Sequence, residues 1–104
     1  MNQNNGKNSL GLDSIFEDLD NPIDLFKNWF KKAEATEIND PNAFALGTAD
    51  QKNQPSVRMV LLKGLSNEGF VFYTNFNSKK GSDLKTNKLA SVCFHWKSLR
   101  RQVR

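Results

Sequence analysis

The sequence is poor in the residues that most often betray a chemistry. Its 104 residues hold one cysteine, Cys93, and one histidine, His95. A lone cysteine excludes an intramolecular disulfide framework and fits a reducing compartment. One Cys and one His leave too few soft ligands for a structural zinc site, so no metal is expected. No apolar run approaches the ~20 residues of a membrane span, and no apolar stretch follows the N-terminus as it would in a secretory signal. A Walker A loop is missing, and there are no internal repeats. These absences lead us to expect a cytoplasmic protein that is not embedded in a membrane.

What is present points to one folded domain. The length suits a single core. Eight Phe and two Trp, in a chain that is 38% hydrophobic, are too many for a disordered polymer. Charge is segregated. Residues 1–57 carry nine acidic and five basic side chains, whereas residues 58–104 carry two acidic and ten basic ones, so the halves are −4 and +8. A positive half argues for an anionic partner such as a phosphate ester or nucleic acid, although a solvated basic face gives the same count.

Local patterns set the expected elements. Residues 1–20 read as a disordered or weakly ordered tail, with a short amphipathic turn over residues 12–20. Asn21-Pro22 starts a helix, with Asn as N-cap, Pro at the first helical position and Asp24 in the first turn. Its apolar face carries Ile23, Phe26 and Phe30, flanked by Leu25, Trp29 and Ala33, and it should run to about Glu37. After Asp40-Pro41 the period changes to that of strands. Ala43–Ala49, Val57–Leu65 and Phe70–Thr74 read as three antiparallel strands joined by hairpins. Asn75–Ser78 is a loop, and Lys79–Lys88 a short helix. Ala90–Trp96 is a fourth strand, and Leu99–Arg104 begins a fifth. The fold class is α+β, mainly β and barrel-like, behind an N-terminal amphipathic helix. Because the last residues read as a strand entering a sheet, we expect residues 21–104 to be the N-terminal part of a longer protein.

Three clusters bear on chemistry. Arg58-Met59-Val60-Leu61-Leu62-Lys63 places two cations in an apolar strand, where each must reach water, a partner or a ligand. Five positions apart, they face opposite sides of a regular strand. In Tyr73–Gly81, hydroxyls end a strand, and Ser78, Lys79, Lys80 and Gly81 then open a helix, where amides and cations favour a phosphate. Leu99–Arg104 adds three arginines that could grip phosphates or carboxylates. Plain surface charge remains open for each cluster. His95 and Cys93 are expected on opposite faces of their strand, as a structural His and an inert core thiol. Glu68–Tyr73 faintly echoes an RNA-recognition octamer, but its leading base and second small residue are missing, so a nucleic-acid module is only an alternative.

In series, these residues resemble the pyridoxamine 5'-phosphate oxidase family. The matching blocks are Asn21-Pro22…Leu25-Phe26…Trp29, Asp40–Ala43, Pro55–Gly64, Gly69–Asn75, Ser78–Gly81, Cys93–Trp96 and Leu99–Arg104. The resemblance implies an FMN-binding split β-barrel, incomplete in this chain, that forms a homodimer with FMN at the interface. It implies oxidation of pyridoxamine or pyridoxine 5'-phosphate to pyridoxal 5'-phosphate with O2 as acceptor. Carried over, Arg58, Met59, Val60, Leu61, Leu62, Lys63, Tyr73, Thr74, Lys79, Lys80 and Gln102 bind FMN. Arg58, Lys79 and Lys80 face its phosphate, and Lys63 also approaches the substrate phosphate. Lys79 stands where the family usually has Arg. No residue is singled out as catalytic, and no nucleic acid or membrane partner is implied. Another FMN-binding split-barrel oxidoreductase and an inactive truncated product are the remaining alternatives.

Overall fold

The computed structural model describes residues 21–75 and 77–104. The expected tail over residues 1–20 lies outside them. Helix α1 spans Pro22–Thr36. Asn21 caps it as expected, its Oδ1 accepting from the Ile23 N–H at 2.9 Å. The helix stops where Glu37 turns extended, its N–H still donating to the Ala33 carbonyl. Phe26, Trp29 and Ala33 are its buried residues, at intervals of three and four. Phe30 and Leu25, which the sequence also placed on or beside this face, pack partly buried against the same core.

Strands β1 (Ala43–Ala49), β2 (Pro55–Leu61), β5 (Ala90–Trp96) and β6 (Arg101–Val103) form an antiparallel sheet in the order β2-β1-β5-β6. A second, two-stranded sheet pairs β3 (Gly64–Ser66) with β4 (Gly69–Val71). The expected run of three hairpin-joined strands is therefore corrected. Val57–Leu65 is broken at Leu62–Lys63, where the chain leaves one sheet for the other. The Leu62 N–H donates to the Asn42 carbonyl and the Lys63 N–H to that of Val71, each at 2.8 Å. Leu62, continuing the inward alternation of Arg58 and Val60, is buried in the core at this break. The two hairpins survive, β1–β2 and β3–β4. The expected fifth strand opens with a one-turn 3-10 helix, Lys97–Leu99, which Arg100 ends in a left-handed conformation at φ 53°. Helix α2 is Lys79–Thr86, two residues shorter than expected.

One face of the four-stranded sheet is covered and the other is open. Phe44, Leu46 and Thr48 of β1 and Phe94 and Trp96 of β5 are buried on the covered face. Phe26 joins sheet to helix, its ring centroid 4.8 Å from Phe70, 5.0 Å from Phe94 and 5.4 Å from Trp96. Such aromatic pairs add specific contact energy to the area they bury. The Trp96 indole N–H also donates to the Pro41 carbonyl at 2.8 Å, tying β5 to the turn before β1. Arg101 lays its guanidinium over Trp29 at 4.7 Å, a cation–π contact, and burial lowers its pKa.

On the open face, Ala45 pairs with both Met59 and Cys93, and His95 pairs with Gln102. Residues directly opposite each other in antiparallel strands point the same way. Cys93 and His95 thus share this face, which corrects the expectation that they oppose each other; residues two apart on a strand lie on one side. His95 is exposed and Cys93 half-buried, so neither is a core residue. The two sheets do not close a barrel among the described residues, in keeping with the incomplete split barrel that was expected.

Truncating Trp96 to Ala should cost about 3–5 kcal/mol, the range for a buried large aromatic. Replacing Ile38, which is 95% exposed, should change stability by less than about 0.5 kcal/mol. Urea unfolding of the two variants checks this, and similar midpoints would refute the assigned core. A second outcome concerns pH. The Glu37 carboxylate accepts from the Ser98 N–H at 2.7 Å, joining α1 to the 3-10 turn. Hydrogen bonds from Ser98 hold its carboxyl below the ordinary range. A depressed folded pKa stabilises the fold above the unfolded value and ceases to do so as pH falls through the folded one. Glu37→Gln should therefore lower the melting temperature at neutral pH, and the gap to the native protein should shrink as pH falls below about 4.

Candidate functional site

The covered face of the main sheet ends in polar residues where α2 packs against β1. Thr48 continues the inward row of Phe44 and Leu46, and Ser56 lies opposite it on β2. Arg58, on the same face of β2, pairs with Leu46. These positions alternate with Val57, Met59 and Leu61, which are exposed on the open face. Helix α2 is capped by Ser78, whose side chain accepts from the Gly81 N–H at 3.3 Å, and places Lys79 and Asp83 one turn apart.

Asp83 organises this end of the sheet. It is 1% exposed. Its Oδ1 accepts from the Lys79 ammonium at 2.7 Å, and its Oδ2 accepts from the hydroxyls of Thr48 at 2.8 Å and Ser56 at 3.3 Å. The Arg58 guanidinium closes the cluster. Its Nη1 donates to Thr48 Oγ1 at 2.8 Å and to the Leu46 carbonyl at 3.1 Å, and its Nη2 donates to Ser56 Oγ at 3.0 Å. That Nη2 lies 3.9 Å from Asp83 Oδ2. Lys79 also comes within 3.8 Å of Asp50. Hydrogen bonds from Lys79, then Thr48, hold the Asp83 carboxyl below its ordinary range, while burial pushes the other way. The carboxylate therefore stays ionised at neutral pH, with the Lys79 ammonium and the Arg58 guanidinium beside it.

The structure brings some expected site residues together and separates others. Arg58 and Lys79, distant in sequence, meet at Asp83. Thr74 is linked to the start of α2, its hydroxyl 3.2 Å from that of Ser78. Lys80 is half-buried next to Lys79 and has no carboxylate within 4.0 Å among the described residues. Tyr73 is exposed at the end of the second hairpin. The block 58–63 is split. Arg58 and Val60 turn inward and Leu62 is core, whereas Met59 and Leu61 lie on the open face, which also carries Gln102. Gln102 borders a shallow recess there with Ala45, Gly47, Val57 and Cys93. Lys63 lies beyond the end of β2 and borders a different hollow, with Phe30, Asn42 and Leu65.

Sequence reasoning missed Asp83, Thr48 and Asp50. A signal for Asp83 did exist: it and Glu68 are the two acids among residues 58–104, and it stands four residues after Lys79. Thr48 gave no signal, because its partners, Arg58 and Asp83, come from two other elements, β2 and α2. No group of three or more His, Cys, Asp or Glu able to hold a metal occurs among the described residues. Chemically, the arrangement offers an anion two fixed cations, with Lys80 nearby. The Arg58 Nε–H donates to no described residue, and Lys79 has protons beyond the one given to Asp83.

Comparison with known proteins agrees with the resemblance. The sequence matches the profile of the family described as pyridoxamine 5'-phosphate oxidase over residues 30–104. It is 64% identical over 100 residues to the pyridoxine/pyridoxamine 5'-phosphate oxidase of Pelagibacter ubique, covering 96% of this chain and 48% of that protein. It is 61% identical over 89 residues to the enzyme of the same name from Sinorhizobium fredii, covering 86% and 43%. The chain thus spans about half the length of the curated relatives it matches. Among solved structures, PhzG from Burkholderia lata, in complex with tetrahydrophenazine-1-carboxylic acid, superposes with a TM-score of 0.72 at 30% identity, over 77% of this chain and 40% of that one. An FMN-binding protein of Nostoc punctiforme, related to pyridoxamine 5'-phosphate oxidase, gives 0.64 at 18% identity over 74% and 42%, a likeness of fold. With a profile match over most of its length and close relatives that share one name, the chain belongs to the pyridoxamine 5'-phosphate oxidase family.

Proposed function

We propose that the protein carrying this chain oxidises pyridoxamine 5'-phosphate or pyridoxine 5'-phosphate to pyridoxal 5'-phosphate, with FMN as cofactor and O2 as electron acceptor. In this reading it is a cytoplasmic homodimer with FMN between the subunits. The observation that carries the reading is the meeting of Arg58 and Lys79 at the start of α2, in a chain of this family. The substrate's amine or alcohol carbon gives up two electrons and two protons, and oxygen takes them as hydrogen peroxide. With the amine substrate, water then releases ammonia.

The residues present fit a flavin phosphate. A phosphate monoester needs several donors and nearly two positive charges. Arg58 offers a planar fork on a rigid strand, Lys79 and Lys80 offer ammonium groups, and α2 presents its N-terminal end. When bound, FMN would supply the two-electron redox chemistry. The protein's own part is to bind and orient. Arg58, Lys79 and Lys80 hold the phosphate, while Tyr73 and Thr74 border the cofactor at the end of the second hairpin. Met59, Leu61 and Gln102 contribute from the open face, with Val60 and Leu62 behind them as packing that fixes the strand. Lys63, away from the Asp83 cluster, takes the substrate phosphate. The apolar open face around Ala45, Val57 and Met59 supports the dimer reading, since exposed apolar patches of this kind are commonly covered. No helix among the described residues is long and apolar enough to cross a membrane.

Pyridoxal 5'-phosphate formation, assayed with saturating FMN and oxygen, tests the reaction. The chain extended by the C-terminal half of a close relative should turn over, and the 104-residue chain alone should not. If the extended protein binds FMN without forming product, the substrate assignment is wrong. Site variants test the cofactor assignment. Arg58→Ala and Lys80→Ala should each weaken FMN by about tenfold or more, because charge-assisted contacts contribute roughly 1.5–3 kcal/mol. Lys97→Ala, at an exposed position, should cost under about 1 kcal/mol. Equal losses in all three, read by flavin fluorescence titration, would dismiss the assignment. Lys79→Arg should tighten FMN or leave it unchanged, since a guanidinium grips phosphate through a fork. A clear weakening, with the circular dichroism unaltered, would place Lys79 away from the phosphate.

A further inference from the structure

We propose that Asp83 is a positioning residue that gathers Arg58 and Lys79 into one two-cation seat for a phosphate monoester. The inference rests on the phosphate reading of this site and names the group that builds it. Arg58 comes from β2 and Lys79 from α2, two elements with no backbone ladder between them. Left to themselves, two long cationic side chains repel each other and keep their rotamer freedom in water. Here both lie within 4 Å of a single carboxylate.

The links are indirect in a way that fixes direction as well as distance. Thr48 Oγ1 accepts from Arg58 Nη1 and donates to Asp83 Oδ2. Ser56 Oγ accepts from Arg58 Nη2 and donates to the same oxygen. Each hydroxyl has one proton, and Asp83 takes it, so each presents a lone pair to the guanidinium. The Leu46 carbonyl adds a third anchor for Arg58. Asp83 itself is buried, and its oxygens are engaged by Lys79, Thr48 and Ser56. It is thus unavailable as a base or a ligand, while the cations it holds keep protons to give. A connected network of this kind is rigid only while every member is present. A staple that merely fastens α2 to the sheet would use the same contacts, and the two roles differ in what they do to anion affinity at constant fold.

The test titrates inorganic phosphate into the native protein and into Asp83→Asn and Asp83→Glu, following the NMR signal of the Arg58 Nε–H. FMN and riboflavin, which lacks the phosphate, are titrated in parallel. The native protein should bind phosphate saturably. Asp83→Asn should lose tenfold or more, and Asp83→Glu, which keeps the charge, should stay within threefold. FMN should weaken in Asp83→Asn by a similar factor while riboflavin does not change. Unchanged phosphate affinity in Asp83→Asn, or equal losses of FMN and riboflavin, would overturn the proposal. If Asp83→Asn fails to fold by circular dichroism, Thr48→Val replaces it: a phosphate loss of threefold or more supports the positioning role, and no loss overturns it. Native protein that binds phosphate in the Asp83-dependent manner but no flavin would refute the cofactor reading and leave this inference standing. Native protein that binds neither would refute both.

Discussion

A buried carboxylate in the positive half of the chain is the constraint on which the candidate site depends. Charges are rarely buried without partners, because leaving water is costly. Asp83 meets that cost with Lys79, two hydroxyls and, more distantly, Arg58. The consequence runs in both directions. The carboxylate is tolerable in the interior because of the cations, and the cations stand side by side because of the carboxylate. Losing either side of a buried pair leaves the other uncompensated, which is the more damaging change. The cluster therefore couples the docking of α2 on the sheet to the arrangement of groups that can receive an anion.

The aromatic core makes that coupling possible. Phe26 brings α1 against Phe94 and Trp96 of β5 and against Phe70 of the second hairpin. This packing covers one face of the main sheet and leaves the polar end, at Thr48, Ser56 and Arg58, for α2 to close. The same strands carry a different surface on their other side. Small residues in β1, flanked by Val57, Met59 and Leu61, leave a face that is apolar and open. One sheet thus offers a fixed polar seat on one face and an uncovered apolar surface on the other.

Much of the fold was legible in the sequence. The Asn21-Pro22 start, the stripe at Phe26, Trp29 and Ala33, and the strands Ala43–Ala49 and Ala90–Trp96 are set by local chemistry and period. The break at Leu62 was not legible, because Val57–Leu65 is continuously β-prone and only tertiary pairing shows where the chain changes sheets. The sidedness of Cys93 and His95 was within reach of strand parity, and it places both on the open face. Arg58 and Lys79 could be nominated from their motifs and from the family resemblance. Their meeting could not, since it depends on Asp83, a residue whose importance comes from Thr48 and Ser56 in strands that are far away in sequence. Spacing finds groups within one element, while a site assembled from three elements needs the packing.

On the proposed reading, Arg58 and Lys79, set by Asp83, receive the phosphate of a flavin. A crystal structure of the protein with FMN bound tests it most directly. The phosphate group is expected within hydrogen-bond distance of Arg58 and Lys79 at the start of α2, with Asp83 still joined to Thr48 and Ser56. A phosphate held elsewhere, with Arg58 and Lys79 still engaged only by their protein partners Asp83, Asp50, Thr48, Ser56 and Leu46, would contradict it.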